Sequence, residues 1–313
     1  MQLRPLGRSG LKTAPWAFGG NVFAWTADKE TAFALLDAFV GEGFNLVDTA
    51  DFYSAWVPGH KGGESETVIG DWLAARPGVR GKVLIATKLG MLAPNDGLGA
   101  RQIETAVEAS LTRLRTDVID LYQSHKDDTE TPLEETLAAY DRLVKAGKVR
   151  AVGASNYEAP RLAEALKISA DQGLARYDSL QPAYNLMDRA IEADIVPLCL
   201  KDEVGIITYY SLASGFLSGK YRSEADLGKS PRGGGIKTYL NDKGFGVLKA
   251  LDEVSETHGA TPAQVAAAWV MAKPGITAAI ASATSLEQLK DLVAAARLTL
   301  TADDMAKLDG ASR

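Results

Sequence analysis

The chain has 313 residues, 46% of them hydrophobic and 24% charged, with a formal net charge of −6 spread along its length. That suits one large domain over residues 1–313 and excludes a nucleic-acid binder, because phosphate contacts dominate that affinity and no basic stripe is present. The start, Met1-Gln-Leu-Arg-Pro-Leu-Gly-Arg8, lacks a long apolar signal core, and no stretch approaches the ~18 apolar residues of a membrane span, so a cytoplasmic protein without a membrane partner is expected.

Residues 1–12 read as a small hairpin. Short apolar, β-rich runs then recur at 16–19, 45–48, 83–87, 118–122, 149–153, 179–181, 205–209 and 276–280. Segments with helical periodicity lie between them, among them 29–40, 65–75, 101–114, 132–146 and 160–170. Thr131-Pro132 reads as a helix N-cap followed by Pro at the first helical position, and Thr261-Pro262 repeats the signal; Gly147 reads as a stop. Cys199, the single cysteine, sits in the apolar run 195–200. It cannot form an intrachain disulfide and reads as a buried core thiol. Residues 212–241 form a long Gly-, Ser- and Lys-rich loop after the seventh run, and loops that long are usually functional.

Strands separated by helices with right-handed crossovers give a parallel sheet. Eight such units most simply close into a (β/α)8 TIM barrel with an N-terminal hairpin and a long loop after strand 7. A doubly wound sheet would announce its nucleotide site as Gly-x-Gly-x-x-Gly, and Phe18-Gly-Gly-Asn-Val-Phe23 is not that pattern. Residues 214–220 and 223–230 fail as phosphate loops because each lacks the first glycine.

In a barrel, chemistry sits where strands end. Asp48 ends the second strand and Tyr53 follows in the next turn; Lys88 ends the third, and His125 closes the fourth. Adjacent strands lie ~5 Å apart, so these four can converge. Their chemistry is consistent with reduction of a carbonyl, whose oxygen needs a proton donor as negative charge develops. A phenol is too weak an acid at neutral pH unless a cation favours its phenolate. Lys88 can supply the cation, Asp48 can orient it, and His125 can hydrogen-bond the carbonyl oxygen. No metal site is assigned.

The sequence resembles the aldo-keto reductases over nearly its whole length. The markers are Asn45-Leu-Val-Asp48-Thr-Ala-Asp-Phe-Tyr53, Gly63-Glu64-Ser-Glu66 with Ile69-Gly70, Thr87-Lys88, and Asp117-Val-Ile-Asp120-Leu-Tyr-Gln-Ser-His125. They continue with Val152-Gly153-Ala-Ser155-Asn156-Tyr, Gln181-Pro-Ala-Tyr184-Asn185 and Tyr210-Ser-Leu-Ala-Ser214-Gly215-Phe-Leu217-Ser-Gly219-Lys220. The resemblance implies an NADP-dependent oxidoreductase of the carbonyl reductase and alcohol dehydrogenase type, interconverting aldehydes or ketones and alcohols by hydride transfer. Asp48, Tyr53, Lys88 and His125 would be its catalytic tetrad, with Tyr53 as general acid/base. Ser155, Asn156 and Gln181 would hold the nicotinamide carboxamide, and Tyr210 would stack on its ring. Ser211, Leu212, Ala213, Ser214, Gly215, Leu217 and Lys220 would clasp the pyrophosphate, with Arg222 beyond them. Ala281, Ser282, Ala283, Thr284, Gln288 and Asp291 would bind the adenosine end, and Gly20, Asn21 and Asp48 complete the set. The expected cofactor is NADPH, with NADH as a second.

Two segments depart from the family pattern. The loop after Tyr53 is long, Ser54-Ala-Trp56-Val-Pro-Gly-His60-Lys-Gly-Gly63, and Ser282, Thr284 and Gln288 replace basic residues often seen at the adenosine end. Lys220, Arg222, Lys229, Arg232 or Lys237 in the long loop could compensate there. Trp16, Phe23, Trp25, Tyr53, Trp56 and His125 are the candidate substrate mouth, suited to a small-molecule carbonyl or alcohol. Two other readings stay open: a Schiff-base lyase with Lys88 as nucleophile, and a cofactor-binding regulatory subunit with vestigial activity.

Overall fold

The apolar runs become parallel strands that close on themselves. The computed structural model describes residues 2–229 and 233–313. Strands β1 (Arg4–Pro5) and β2 (Lys12–Thr13) pair antiparallel as the N-terminal hairpin. The barrel strands are β3 (Trp16–Gly19), β4 (Leu46–Asp48), β5 (Leu84–Leu89), β6 (Ile119–Ser124), β7 (Val149–Ser155), β8 (Tyr177–Gln181), β9 (Gly205–Thr208) and β10 (Ile276–Ala281). Their order around the barrel is the chain order, with β10 closing onto β3. This is a (β/α)8 TIM barrel.

The strands alternate faces. Ala17, Leu46, Ala86, Leu121, Ala151, Ile207 and Ala278 point inward and pack as one cluster, joined by Leu6 and Leu11 of the hairpin. The hairpin thereby plugs the floor. Gly7 is left-handed there, and a Cβ on it would lie 2.1 Å from the Asp178 carbonyl oxygen, so the close approach requires glycine. With the floor sealed, the C-terminal strand ends are the open mouth.

The outward faces bury against helices α1 (Lys29–Gly41), α2 (Glu64–Ala75), α3 (Ala100–Leu114), α4 (Leu133–Lys145), α5 (Ala159–Gln172), α6 (Ile195–Lys201), α7 (Asp242–His258), α8 (Pro262–Ala272), α9 (Leu286–Arg297) and α10 (Ala302–Ala311). Thr261 caps α8 with a full capping box and Pro262 at its first position, as expected. Thr131 does not cap α4. Its hydroxyl donates instead to Asp128 at 2.7 Å, and Pro132 itself occupies the N-cap with extended ψ. Cys199 is buried in α6, where burial pushes its thiol up to about 12. No helix among the described residues is long and apolar enough to cross a membrane.

The long loop is not irregular. It contains short 3-10 turns at Ala213–Ser218, Glu224–Lys229 and Gly233–Tyr239. Arg232 lies outside the described residues.

Candidate active site

The strand register gathers the polar residues. Lys88 on β5 pairs with Gln123 on β6, Asp48 on β4 pairs with Ala86, and Ser155 on β7 pairs with Gln181 on β8. Side chains at inward positions of neighbouring strands therefore share the mouth.

Lys88 and Asp48 are almost wholly buried. The Lys88 ammonium donates to Asp48 Oδ2 at 2.8 Å, to the Thr49 carbonyl at 2.8 Å and to Tyr53 Oη at 3.0 Å. All three of its protons are thus engaged. Tyr53 donates to Asp48 Oδ2 at 3.2 Å, and Gln181 Nε2 donates to Asp48 Oδ1 at 2.9 Å. Burial and the Asp48 charge hold the Tyr53 phenol well above its usual range, so it carries its proton at neutral pH. Burial pushes the Lys88 ammonium down, against the pull of Asp48. Lys88 Nζ also sits 4.7 Å from the Tyr53 ring centroid.

His125 follows β6, its N–H bonded to the Leu89 carbonyl at 2.9 Å. Its ring meets that of Tyr53 edge-on at 5.9 Å. Burial, then Lys88 and Lys126, push it down to about 3, so at neutral pH it is an uncharged imidazole. Its buried Nδ1 has no hydrogen-bond partner among the described residues.

The neighbouring loops form a cradle. Ser155 Oγ donates to the Gln181 carbonyl at 2.8 Å, and Asn156, left-handed at φ 61, donates to the His125 carbonyl at 3.0 Å. Tyr209 donates to Asn156 Oδ1 at 2.6 Å. Sequence reasoning left Tyr209 out of the site although it ends the run 205–209, the same strand-end position that singled out Lys88. Tyr210, also left-handed, is 60% exposed and meets the Tyr209 ring edge-on at 4.9 Å. Ala213, Ser214 and Gly215 continue with positive φ, and the Ala213 and Gly215 N–H groups turn back onto the Tyr210 and Leu212 carbonyls at 2.7 and 2.8 Å. Across the mouth, Ser282 donates to Asn21 Oδ1 at 2.7 Å. A Cβ on Gly19 would lie 2.5 Å from Ser282 Oγ, and one on Gly20 would lie 3.0 Å from the Asp48 carbonyl. Gly19 thus packs bare backbone against Ser282 and Ile280, and Gly20 against the end of β4.

Two residues expected at the substrate mouth lie elsewhere. Phe23 and Trp16 do not line the mouth: Phe23 stacks on Phe18 at 5.3 Å, and Trp16 packs on Phe39 while bonding the Ala281 carbonyl. Leu217 and Ala283 are fully buried and back the cradle instead of lining it. Leu212 is half-buried and Ala281 ends β10. Arg222 is clamped by both guanidinium nitrogens to Asp252 on α7, at 2.7 and 2.8 Å, and by Nε to the Gly219 carbonyl. Asp291 accepts from Gln264 on α8, and Thr284 donates twice to Gln288. Lys229 pairs with Asp226 and Lys237 with Glu224, whereas Lys220 makes no ion pair among the described residues.

The mouth is aromatic. Trp25 and Trp56, both exposed, meet edge-on at 5.5 Å, and Trp56 lies 6.2 Å from the Tyr53 ring. Phe52, not anticipated, contacts both Trp56 and His125. The unusual loop is pinned by Ser54, whose buried hydroxyl donates to the Phe23 carbonyl at 2.6 Å, and by His60 Nδ1 against the Ser54 carbonyl.

The model of the Aldo/keto reductase family matches residues 15–313. The chain belongs to that family. It is 33% identical to the Bacillus subtilis oxidoreductase YrpG, over 96% of this chain and 92% of that protein. It is 32% identical to the aldo-keto reductase YhdN of the same organism, over 95% and 87%. A probable voltage-gated potassium channel subunit beta of Arabidopsis thaliana is 30% identical over 93% and 90%. This aldo/keto reductase thus has relatives named for catalysis and for channel assembly.

Proposed function

We propose that this protein reduces aldehydes or ketones with a nicotinamide cofactor, Tyr53 delivering the proton. The observation that carries the reading is the Lys88 ammonium bonded at once to Asp48 and to the Tyr53 hydroxyl beneath an aromatic mouth. The bound cofactor would supply hydride; the exposed Tyr210 ring and the exposed Lys220 ammonium, which makes no ion pair among the described residues, fit such a group. Ser155, Asn156 and Gln181 would hold its carboxamide, and Lys220 its pyrophosphate.

The proton chemistry belongs to this chain. Tyr53 stays protonated until the carbonyl oxygen gains charge, and neutral His125 donates a hydrogen bond that orients that oxygen. As Tyr53 releases its proton, the ammonium 3.0 Å away stabilises the phenolate. The proton affinity of Lys88, lowered by burial, eases return of a proton to Tyr53. A Schiff-base role for Lys88 is disfavoured by its contact with Asp48, which keeps the amine protonated. The channel-subunit relative supports a second reading, a cofactor-binding regulatory subunit. Turnover of a panel of aldehydes and ketones with NADPH and NADH separates the two, because the regulatory reading expects cofactor binding with vestigial oxidation.

NADPH is expected to bind more tightly than NADH by a modest margin. A charge-assisted hydrogen bond to the 2′-phosphate contributes on the order of 1.5–3 kcal/mol, about ten- to a hundredfold in affinity. The adenosine segment offers neutral Ser282, Thr284 and Gln288 with Lys290 as a nearby cation beside Asp291, and Arg222, Lys229 and Lys237 are held by carboxylates. Dissociation constants of both cofactors at low and high salt check this: a preference built on loop cations shrinks as salt rises. A salt-insensitive preference above about a thousandfold, or tighter NADH binding, would overturn it.

Truncating Trp25 or Trp56 to Ala should raise the Michaelis constant for bulky substrates far more than for small aldehydes. Lost apolar contact, at ~25 cal/mol per Å², matters only to a substrate that reaches the Trp25–Trp56 pair. Equal effects on both classes would make the pair structural.

A further inference from the structure

Behind the tetrad lies a second carboxyl cluster that the proton chemistry above does not use. Asp51 is 4% exposed, in the turn between β4 and Tyr53, and its N–H donates to the Lys88 carbonyl at 3.0 Å. Glu66 of α2 is fully buried beside it. The groups facing Asp51 are Glu66, Arg113 of α3, Lys88 of β5, Tyr122 of β6 and Tyr140 of α4.

The hydrogen bonds divide these carboxyls unequally. Arg113 Nε donates to Glu66 Oε2 at 2.6 Å, and Thr87 donates to Glu66 Oε1 at 2.5 Å. Lys88 spends its three protons on Asp48, Thr49 and Tyr53. Neither cation therefore hydrogen-bonds Asp51, which has the Phe52 backbone N–H against its carboxyl; its buried Oδ1 has no partner among the described residues, and Tyr122 Oη nearby has none either. Of two adjacent buried carboxyls, the one bonded to a cation ionises and the other keeps the proton.

We propose that Asp51 is a positioning residue that works as a neutral carboxylic acid, and that its ionisation adds a further negative charge near Lys88 and slows the tetrad. The role rests on the reductase reading; the proton itself does not. Burial, then the Glu66 charge, pushes the Asp51 carboxyl up to about 7. While Asp51 is neutral, the charge on Lys88 is balanced by Asp48 in direct contact, with Glu66, itself paired to Arg113, acting from farther off. Once Asp51 ionises, the field drawing the Tyr53 proton weakens. Because the folded protein holds this proton more tightly than the unfolded chain does, stability also falls as pH rises from about 4 to about 7.

The test compares wild type with Asp51→Asn from pH 5 to 9. Infrared titration of the wild type should show a protonated carboxyl band that disappears with a midpoint near 7 and is missing in the variant. The wild-type kcat/KM for reduction should step down several-fold through the same pH, and Asp51→Asn should lack that step. The variant should also gain in unfolding midpoint over wild type at pH 8 relative to pH 5. No protonated band above about pH 6 overturns the neutral acid. A step near 7 that persists in Asp51→Asn overturns the positioning role. If Asp51→Asn does not fold, the wild-type infrared titration still decides the proton, and Asp51→Ser supplies the kinetic comparison. Absence of any carbonyl turnover defeats the reductase reading, while the infrared result stands apart from it.

Discussion

Tyr53→Phe is expected to lower turnover by at least ~10² while cofactor dissociation constants stay near those of the wild type. The substitution removes one oxygen, and that oxygen is where the site's proton chemistry meets: it accepts from Lys88 and donates to Asp48. The fold should survive, because Lys88 keeps its bonds to Asp48 Oδ2 and the Thr49 carbonyl, and Asp48 keeps that from Gln181. The aromatic contacts of the ring with Trp56 and His125 do not involve the hydroxyl and are retained. A fall in kcat and kcat/KM together, with KM little changed, marks an interaction made in the transition state only. Near-wild-type turnover would remove Tyr53 from the proton-donor role. Loss of cofactor affinity in parallel would make its role binding instead.

The barrel was legible in the sequence because seven of the eight strands, all but β8, carry apolar residues on both the inward and the outward face, so those runs announced themselves without alternation. The same criterion ended several strands too soon. The run at 83–87 stops before Lys88, yet β5 continues through Lys88 to Leu89, and the run at 149–153 stops before Ser155. A polar residue at a strand end is what chemistry requires and what an apolar count rejects. The tetrad could be found because strand-end position is a second, independent signal. The mouth was harder. Trp16, Phe23, Trp25 and Trp56 are equivalent by residue type, and only packing separates Phe23 on Phe18 from Trp25 on Trp56. The basic residues of the long loop were equally ambiguous: nothing in the residues near Arg222 foretells Asp252 thirty positions later as its partner. Asp51 was visible only as one letter of a family motif, because burial beside Glu66 is a tertiary fact.

Lys88→Met is expected to destabilise the fold by about 3–5 kcal/mol and to abolish most turnover, two effects that can be separated. Methionine matches the length and apolar stem of lysine, so packing changes little. The cost arises from Asp48, 1% exposed, which loses its only cation among the described residues and is left with the Gln181 amide at 2.9 Å and the Tyr53 hydroxyl at 3.2 Å. Breaking a buried pair leaves an uncompensated charge, whereas removing both charges does not. Asp48→Asn combined with Lys88→Met should therefore recover most of the lost stability, giving a coupling of roughly 2 kcal/mol or more in denaturant unfolding. Turnover should not recover, because Tyr53 still lacks the ammonium that stabilises its phenolate. A single variant as stable as the wild type would mean that Asp48 is not left as a bare buried charge. Recovery of turnover together with stability in the double variant would mean that Lys88 serves only the fold, and that Tyr53 releases its proton without a neighbouring cation.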